Sequence, residues 1–134
     1  MTVVWGDGLG DLRNLIAGRH LVVDGTTPVD SAIMTIDGGS LTTSALATVS
    51  GGSVVFTTGT VNITGSGGLS IGSAGPLGAV ETLGFGVQLN VSHTTSIAAD
   101  GGLILDDGSL TTNVLDISPG GSFLWKSGAL MLTG

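Results

Sequence analysis

Residues 35–65 read TIDGGSLTTSALATVSGGSVVFTTGTVNITG, and residues 104–134 read ILDDGSLTTNVLDISPGGSFLWKSGALMLTG. The two stretches are identical at 13 of 31 positions without a gap, so the chain contains an internal duplication with an offset of 69. The identical positions are mostly Gly, Ser, Thr and Asp, whereas apolar residues are exchanged for other apolar residues, as Phe56 is for Trp125. The copies therefore share an arrangement of turns and core positions.

The duplication continues upstream, where residues 20–27 correspond to residues 88–95 at an offset of 68. An internal repeat of this length decides how the rest of the chain is interpreted. We expect residues 1–134 to form a single domain, which is ordinary for a chain of this length. Its parts are a candidate N-terminal cap at 1–19, copy 1 at 20–65, a connecting coil at 66–87 and copy 2 at 88–134.

The composition is that of a β protein. Glycine accounts for 25 of 134 residues and proline for only 3, which excludes collagen and proline-rich linkers. The apolar fraction is 41% and the charged fraction 10%, the opposite of a disordered chain. Val, Ile, Leu and Thr are plentiful, as in β-strands.

The charge balance excludes one class of partner. Three basic residues (Arg13, Arg19 and Lys126) against ten acidic ones give a net charge of −7. A nucleic-acid binder needs a basic stripe to displace phosphate counterions, so we expect no nucleic-acid partner. The acidic surface favours an extracellular or cell-surface location.

No apolar run approaches the roughly 20 residues of a membrane helix, so no membrane span is expected. Residues 1–20 contain no long apolar core, so we expect no signal peptide within this chain. The chain has no cysteine, which leaves its redox compartment open.

Each copy consists of short strands separated by glycine corners. In Thr60–Thr64 the apolar and polar residues alternate, which places Val61 and Ile63 on one face of a strand. Corners such as Asp37–Gly39 supply residues that adopt tight turns. The one helix candidate is residues 11–17, for which a turn or a capping element is an equal interpretation.

Two all-β architectures fit this texture. A β-sandwich needs longer strands at regular spacing, joined by hairpin turns. A right-handed parallel β-helix (a β-solenoid) stacks short strands into coils at about 4.8 Å and aligns Ser and Thr residues into side-chain ladders. The 69-residue repeat divides into three coils of about 23 residues, so we predict a β-solenoid of about six coils, with the sandwich as the alternative.

The run GGSLTTSALATVSGGSVVFTTGTVNITG, followed by SGGLSIG, resembles the Gly/Ser/Thr-rich β-strand repeats of bacterial surface and secreted proteins, such as autotransporter passengers. The opening segment, which contains Trp5-Gly-Asp-Gly, is similar to the segments that begin many such repeats. The resemblance covers most of the chain. It implies an extracellular structural or adhesive role without catalytic residues.

Clustered carboxylates would be the chemistry of a polysaccharide-degrading β-helix, in which two acids cleave a glycosidic bond. Only Asp106 recurs between the copies, as Asp37, and an Asp beside a turn commonly accepts hydrogen bonds from the turn backbone. We therefore expect no catalytic residue, no cofactor-binding residue and no resident cofactor. The weak candidates for a calcium site are Asp7, Asp11, Asp106 and Asp107.

Three further patterns are weaker indications of a functional site. His20 and His93 do not correspond between the copies and lack the partners of a metal site. The segment Gly68–Gly72 matches Gly-x-Ser-x-Gly, but no helix is expected after it, as a nucleophile elbow requires. Phe123 and Trp125 share one face of a strand, where core filling is the default and glycan stacking the alternative.

The sequence thus favours a non-enzymatic structural or adhesive module of an extracellular surface or filament protein. The alternatives are a carbohydrate-binding module and a polysaccharide-degrading enzyme. We expect the second copy to expose an open C-terminal coil that supports head-to-tail self-association, and a glycan is the other expected partner.

Overall fold

The chain folds as a parallel β-solenoid of about five turns. This computed structural model describes residues 14–16, 20–30, 33–49 and 53–134, and these residues contain strands and turns but no helix. The strands are β1 (Asn14–Ile16), β2 (His20–Asp30), β3 (Ile33–Val49), β4 (Ser53–Ile63), β5 (Leu69–Ile71), β6 (Val80–Leu83), β7 (Val87–Ile97), β8 (Gly102–Leu105), β9 (Ser109–Ile117), β10 (Ser122–Trp125) and β11 (Ala129–Leu132).

All strand pairs among these elements are parallel. Eight strands form one sheet in the order β1-β3-β4-β7-β9-β11, with β2 also paired to β3 and β5 to β7. Three others form a second sheet in the order β10-β8-β6. The solenoid that the repeat predicts is confirmed, and the β-sandwich alternative is wrong, because its antiparallel hairpins are replaced by coil-on-coil parallel pairing.

One ladder runs through the described coils without a break. We call it the spine, and its inward side carries a column of aligned aliphatic side chains. Each fully buried member contributes about 2 kcal/mol through the hydrophobic effect. The spine segments are 20–23, 40–43, 60–63, 88–91, 109–112 and 129–132, and the column is Leu21, Leu41, Val61, Leu89, Leu110 and Leu130.

The register of the spine explains both offsets of the duplication. The position number rises by 20 from Leu41 to Val61, by 28 to Leu89 and by 21 to Leu110, and these three steps make up the offset of 69. The preceding step, from Leu21 to Leu41, is the same as the step from Leu41 to Val61, which accounts for the offset of 68 upstream. Each repeat therefore spans three coils of unequal length.

The long step contains an insertion. Residues 72–79 connect β5 to β6, whereas the corresponding turn between β7 and β8 comprises only residues 98–101. The sequence predicts coils of equal length, each one third of the repeat, and this prediction is wrong. Most coils are shorter than that average, and the coil with the insertion is longer. The solenoid has about five turns rather than the expected six.

Two repeated corner glycines are required by backbone contact. Gly59 has φ +107° and Gly128, its counterpart in copy 2, has φ +95°. A Cβ atom would overlap the Gly39 carbonyl oxygen at the first position and the Gly108 carbonyl oxygen at the second. Only glycine combines this dihedral angle with so close an approach of the neighbouring coil.

The helix interpretation of residues 11–17 is wrong for its central part. Asn14–Ile16 forms β1, which pairs in parallel with β3. Strand formation is favoured here because β2 pairs with residues 40–49 of β3 and leaves the preceding part of that edge to β1. The rest of the candidate helix, and residues 1–13 and 17–19 of the candidate cap, lie outside the described residues.

Candidate functional site

The acid that recurs in both copies links one coil to the next. Thr58 donates its hydroxyl to Asp37 Oδ1 at 3.0 Å. At the equivalent place in copy 2, Ser127 donates its hydroxyl to Asp106 Oδ1 at 3.1 Å. The sequence predicts a donor from the turn backbone for this acid, whereas the donor seen here is a hydroxyl of the following coil. The repetition of Asp37 and Asp106 is thus explained by coil stacking.

Asp106 has a second, weaker neighbour. Lys126 Nζ lies 4.0 Å from Asp106 Oδ2, and both side chains are about half exposed. An ion pair this long and this exposed contributes little to stability. Asp107 is exposed and has φ +72°, a left-handed conformation that Asp tolerates in turns.

No group of three or more metal-ligating side chains occurs among residues whose placement is described. Asp106 and Asp107 are adjacent there, while the other two calcium candidates, Asp7 and Asp11, lie outside the described residues. Calcium binding at these four positions stays a prediction.

In the last coil, Phe123 and Trp125 occupy ladder positions that are core positions in the preceding coil. In the ladder Phe123 is aligned with Leu103 and Trp125 with Leu105, two fully buried core residues. Phe123 packs against the core, whereas Trp125 is 53% exposed and donates its indole N–H to the Gly128 carbonyl at 3.3 Å. Trp125 is thus only partly covered by the described residues, and glycan stacking by Phe123 and Trp125 stays a prediction.

The exposed side of that coil is apolar. On β11, Leu132 is 54% exposed although its counterparts Thr112 and Ile63 are fully buried. Strands β10 and β11 each pair on one side only, with β8 and β9. We call Phe123, Trp125, Leu130 and Leu132, with the free edges of β10 and β11, the terminal surface.

The outer side of the spine carries a polar ladder. Asn62 donates its side-chain N–H to Thr42 Oγ1 at 3.0 Å, and Asn90 donates to Asn62 Oδ1 at 2.8 Å. Thr60 and Gln88 make a parallel contact of 3.3 Å. The side-chain ladders that the Ser/Thr-rich sequence predicts are therefore present, with asparagine at their centre.

Glu81 is an acid that points into the solenoid, and sequence reasoning missed it. Along β6 the side chains alternate as exposed Val80, half-buried Glu81, exposed Thr82 and buried Leu83. Glu81 is aligned with Leu103 across the ladder. Burial raises the pKa of Glu81 from 4.5 to about 7. The sequence shows only that Glu81 is the one glutamate of the chain, and the pairing of β6 with β8 is what places it on the inward side.

Two ladders other than the spine are interrupted around the insertion. The 53–56 segment of β4 pairs with β3, but β6 pairs only with β8, so no described strand pairs with the second edge of β6. Similarly, β5 pairs with β7 and not with β3. We call the zone between the 53–56 segment and β6 the junction.

A cleft of about 200 Å³ opens beside the junction. It lies between the first coils and the inserted turn, and it mixes apolar side chains with three hydroxyls. Its side-chain lining consists of Thr48, Ser53, Val54, Ser73, Pro76 and Leu77.

The inserted turn is tied to the next corner by an acid. Asp100 accepts hydrogen bonds from the hydroxyl of Ser73 and, at 3.4 Å, from its backbone N–H. These two bonds lower the pKa of Asp100. A Cβ on Gly72 would lie 2.9 Å from Asp100 Oδ1, so the turn packs closely on the corner.

The remaining motif residues are not brought together. Ser70, the centre of Gly-x-Ser-x-Gly, is exposed on β5 between buried Leu69 and Ile71, and a turn rather than a helix follows. His93 is exposed on β7, and of His20 only the backbone is described, in β2. Residues 68–72 therefore lack the geometry of a nucleophile elbow, which needs a helix after the serine.

Comparison with protein-family models, with curated proteins and with solved structures finds no match to this chain. In the described part of the chain no helix has the length and apolar character needed to cross a membrane.

Proposed function

We propose that this protein is a non-enzymatic structural module of an extracellular surface or filament protein, related to the Gly/Ser/Thr-rich repeats of bacterial surface proteins. The observation that carries the proposal is the coil-to-coil bond that both copies retain, Asp37 with Thr58 and Asp106 with Ser127. What the duplication preserved is contact between coils. A module built to stack coils is suited to extending a rod or holding a surface layer.

We further propose that copies of this chain associate end to end through the terminal surface. Pairing with another coil would satisfy the free edges of β10 and β11 and cover Trp125 and Leu132, in the way that β8 and β9 are already covered. The strands of this surface carry no charged residue, so this face of the contact adds no local repulsion to the net charge of −7. A heterologous contact of this kind propagates into a fibre if it does not close into a ring.

Sedimentation velocity over a range of protein concentrations tests the association. We expect the wild-type protein to form species larger than a monomer as concentration rises, and Trp125→Asp to abolish them. The matched control is Val80→Asp, which places the same charge on an apolar residue outside the terminal surface that is 63% exposed, against 53% for Trp125. A wild-type protein that stays monomeric throughout, or equal loss with the control, would contradict the proposal.

Glycan binding is the second candidate, and the observation that favours it is the exposed indole of Trp125. Aromatic rings stack on the apolar faces of sugars, and this ring is already oriented by its bond to Gly128. A glycan array probed with the wild-type protein and with Trp125→Ala tests this role. Binding that the variant loses would support it, and the absence of any bound glycan would exclude it for the arrayed structures.

A further inference from the structure

The junction combines an interior acid with a broken ladder. Glu81 is aligned with Leu103, which is fully buried and in turn aligned with Phe123. The counterpart of Leu103 in the first copy is Met34, also fully buried and aligned with Val54. The inward position that other coils fill with an apolar side chain is thus filled here by a carboxyl group.

Nothing in the described chain compensates a charge at this position. No described group donates a hydrogen bond to the Glu81 carboxyl, and its raised pKa has burial as its only cause. Of the elements around it, β8, the 53–56 segment and the inserted turn carry no titratable residue, and β7 carries only the exposed His93. The acids of the corners that flank β8 are Asp100, Asp106 and Asp107.

The junction is also where the solenoid lacks backbone bonds between coils. The second edge of β6 has no partner strand in the described chain, while the spine holds the same two coils together through Gly59–Ile63 and Val87–Val91. The cleft lined by Val54 and Leu77 lies beside this gap. Separation at the junction would therefore pivot on the spine and break no ladder.

We propose that the junction is a pH-responsive joint, in which ionisation of Glu81 widens the space between the 53–56 segment and β6 about the spine, and protonation narrows it. In the closed form the neutral carboxyl lies in line with the apolar side chains of Leu103 and Phe123. In the open form the carboxylate reaches water, which removes the cost of burying a charge. A rod built from this module would be stiffer in acid than at neutral pH.

Hydrogen–deuterium exchange of the β6 and β8 amides tests the joint, with rates corrected for the intrinsic effect of pH. The pKa of Glu81 is 4.5 when its side chain is exposed and about 7 in the closed form. The equilibrium constant for opening should therefore rise on the order of 50-fold between pH 5 and pH 8. Amides of the spine should not follow this change.

Two variants and a control make the test specific. Glu81→Gln keeps the shape of the side chain without its charge, and Glu81→Leu imitates Leu103. Both should remove the pH dependence at β6 and β8, whereas Asp107→Asn, in an exposed corner, should keep it. Wild-type protection that does not change with pH, or a pH dependence that persists in Glu81→Gln, would overturn the proposal.

Discussion

Thr43 and Thr112 hold equivalent corners of the two copies, and both are fully buried. Thr43 donates its hydroxyl to the carbonyl two residues later, that of Ala45, at 2.9 Å. Thr112 Oγ1 lies 3.1 Å from the corresponding Val114 carbonyl oxygen and 2.9 Å from the His93 carbonyl oxygen, so its one O–H is shared between them. The Ser-Leu-Thr-Thr segment that recurs in both copies therefore contains one core residue, the Leu, and one corner-closing hydroxyl, the second Thr.

Replacing Thr112 by Val should destabilise the protein by roughly 1–3 kcal/mol. The isosteric change leaves the His93 carbonyl without its 2.9 Å partner and the buried Thr95 hydroxyl without its acceptor. Urea unfolding at constant pH measures the loss. Thr111→Val, on the outer side of the same strand, is the control and should change stability by less than about 0.5 kcal/mol. Equal effects from both would refute the corner role.

Glycine substitutions should separate backbone strain from coil contact. Gly128→Ala imposes a positive φ on alanine and drives its Cβ against the Gly108 carbonyl oxygen. Gly78→Ala imposes a similar φ, +85°, where nothing lies within 4 Å of the new Cβ. We expect Gly78→Ala to cost about 1–2 kcal/mol and Gly128→Ala clearly more. Thermal unfolding of the two variants compares them directly, and a smaller cost at Gly128 would contradict the stacked corner.

The corner bond between Asp106 and Ser127 should be weak but measurable. A double-mutant cycle of Asp106→Asn and Ser127→Ala should give a coupling free energy of about 0.5–1 kcal/mol, because the pair is only partly buried. A cycle of Asp107→Asn with Ser127→Ala should give no coupling free energy. Additivity in the first cycle would show that the recurrent acid does not link the coils.

Stability should depend on pH through Glu81. Its pKa is about 7 when folded against 4.5 in an exposed chain, so the unfolded state binds fewer protons between these values and stability falls as pH rises through that window. While the junction stays closed, the shift corresponds to about 3 kcal/mol of stability, which is present below pH 4.5 and lost by about pH 7.5; opening of the junction reduces this loss. Asp100, with its lowered pKa, acts in the opposite sense at lower pH.

Glu81→Gln isolates this contribution. Urea unfolding at a series of pH values should show wild type losing stability relative to the variant, by up to about 3 kcal/mol, from pH 4.5 to pH 7.5. A constant difference between the two proteins across this range would mean that Glu81 is solvated in the folded state.

The solenoid could be predicted from the sequence because the duplication leaves its corners visible. Gly59 and Gly128 recur, and the alternation in Thr60–Thr64 places Val61 in the core column as expected. The coil length could not be predicted, because an insertion at 72–79 lengthens one coil and an average over the whole repeat hides it.

The interior acid was missed for a related reason. Glu81 lies in a four-residue strand directly after the insertion, where no repeat copy marks which side chains face inward. Only pairing with β8 establishes that Glu81 lies beside Leu103. The short segment at Asn14–Ile16 was likewise misjudged, since a three-residue strand carries too few positions to show a period.

X-ray fibre diffraction of assemblies aligned from concentrated protein tests the central claim, that coils of one copy stack on coils of the next. Continuous stacking predicts a meridional reflection at about 4.7–4.8 Å, because the strands run across the fibre axis at the spacing of neighbouring strands. Trp125→Asp should yield no fibres, and Val80→Asp should yield the same pattern as wild type. Fibres with that reflection on the equator, or no assembly of the wild-type protein at any concentration, would contradict the account.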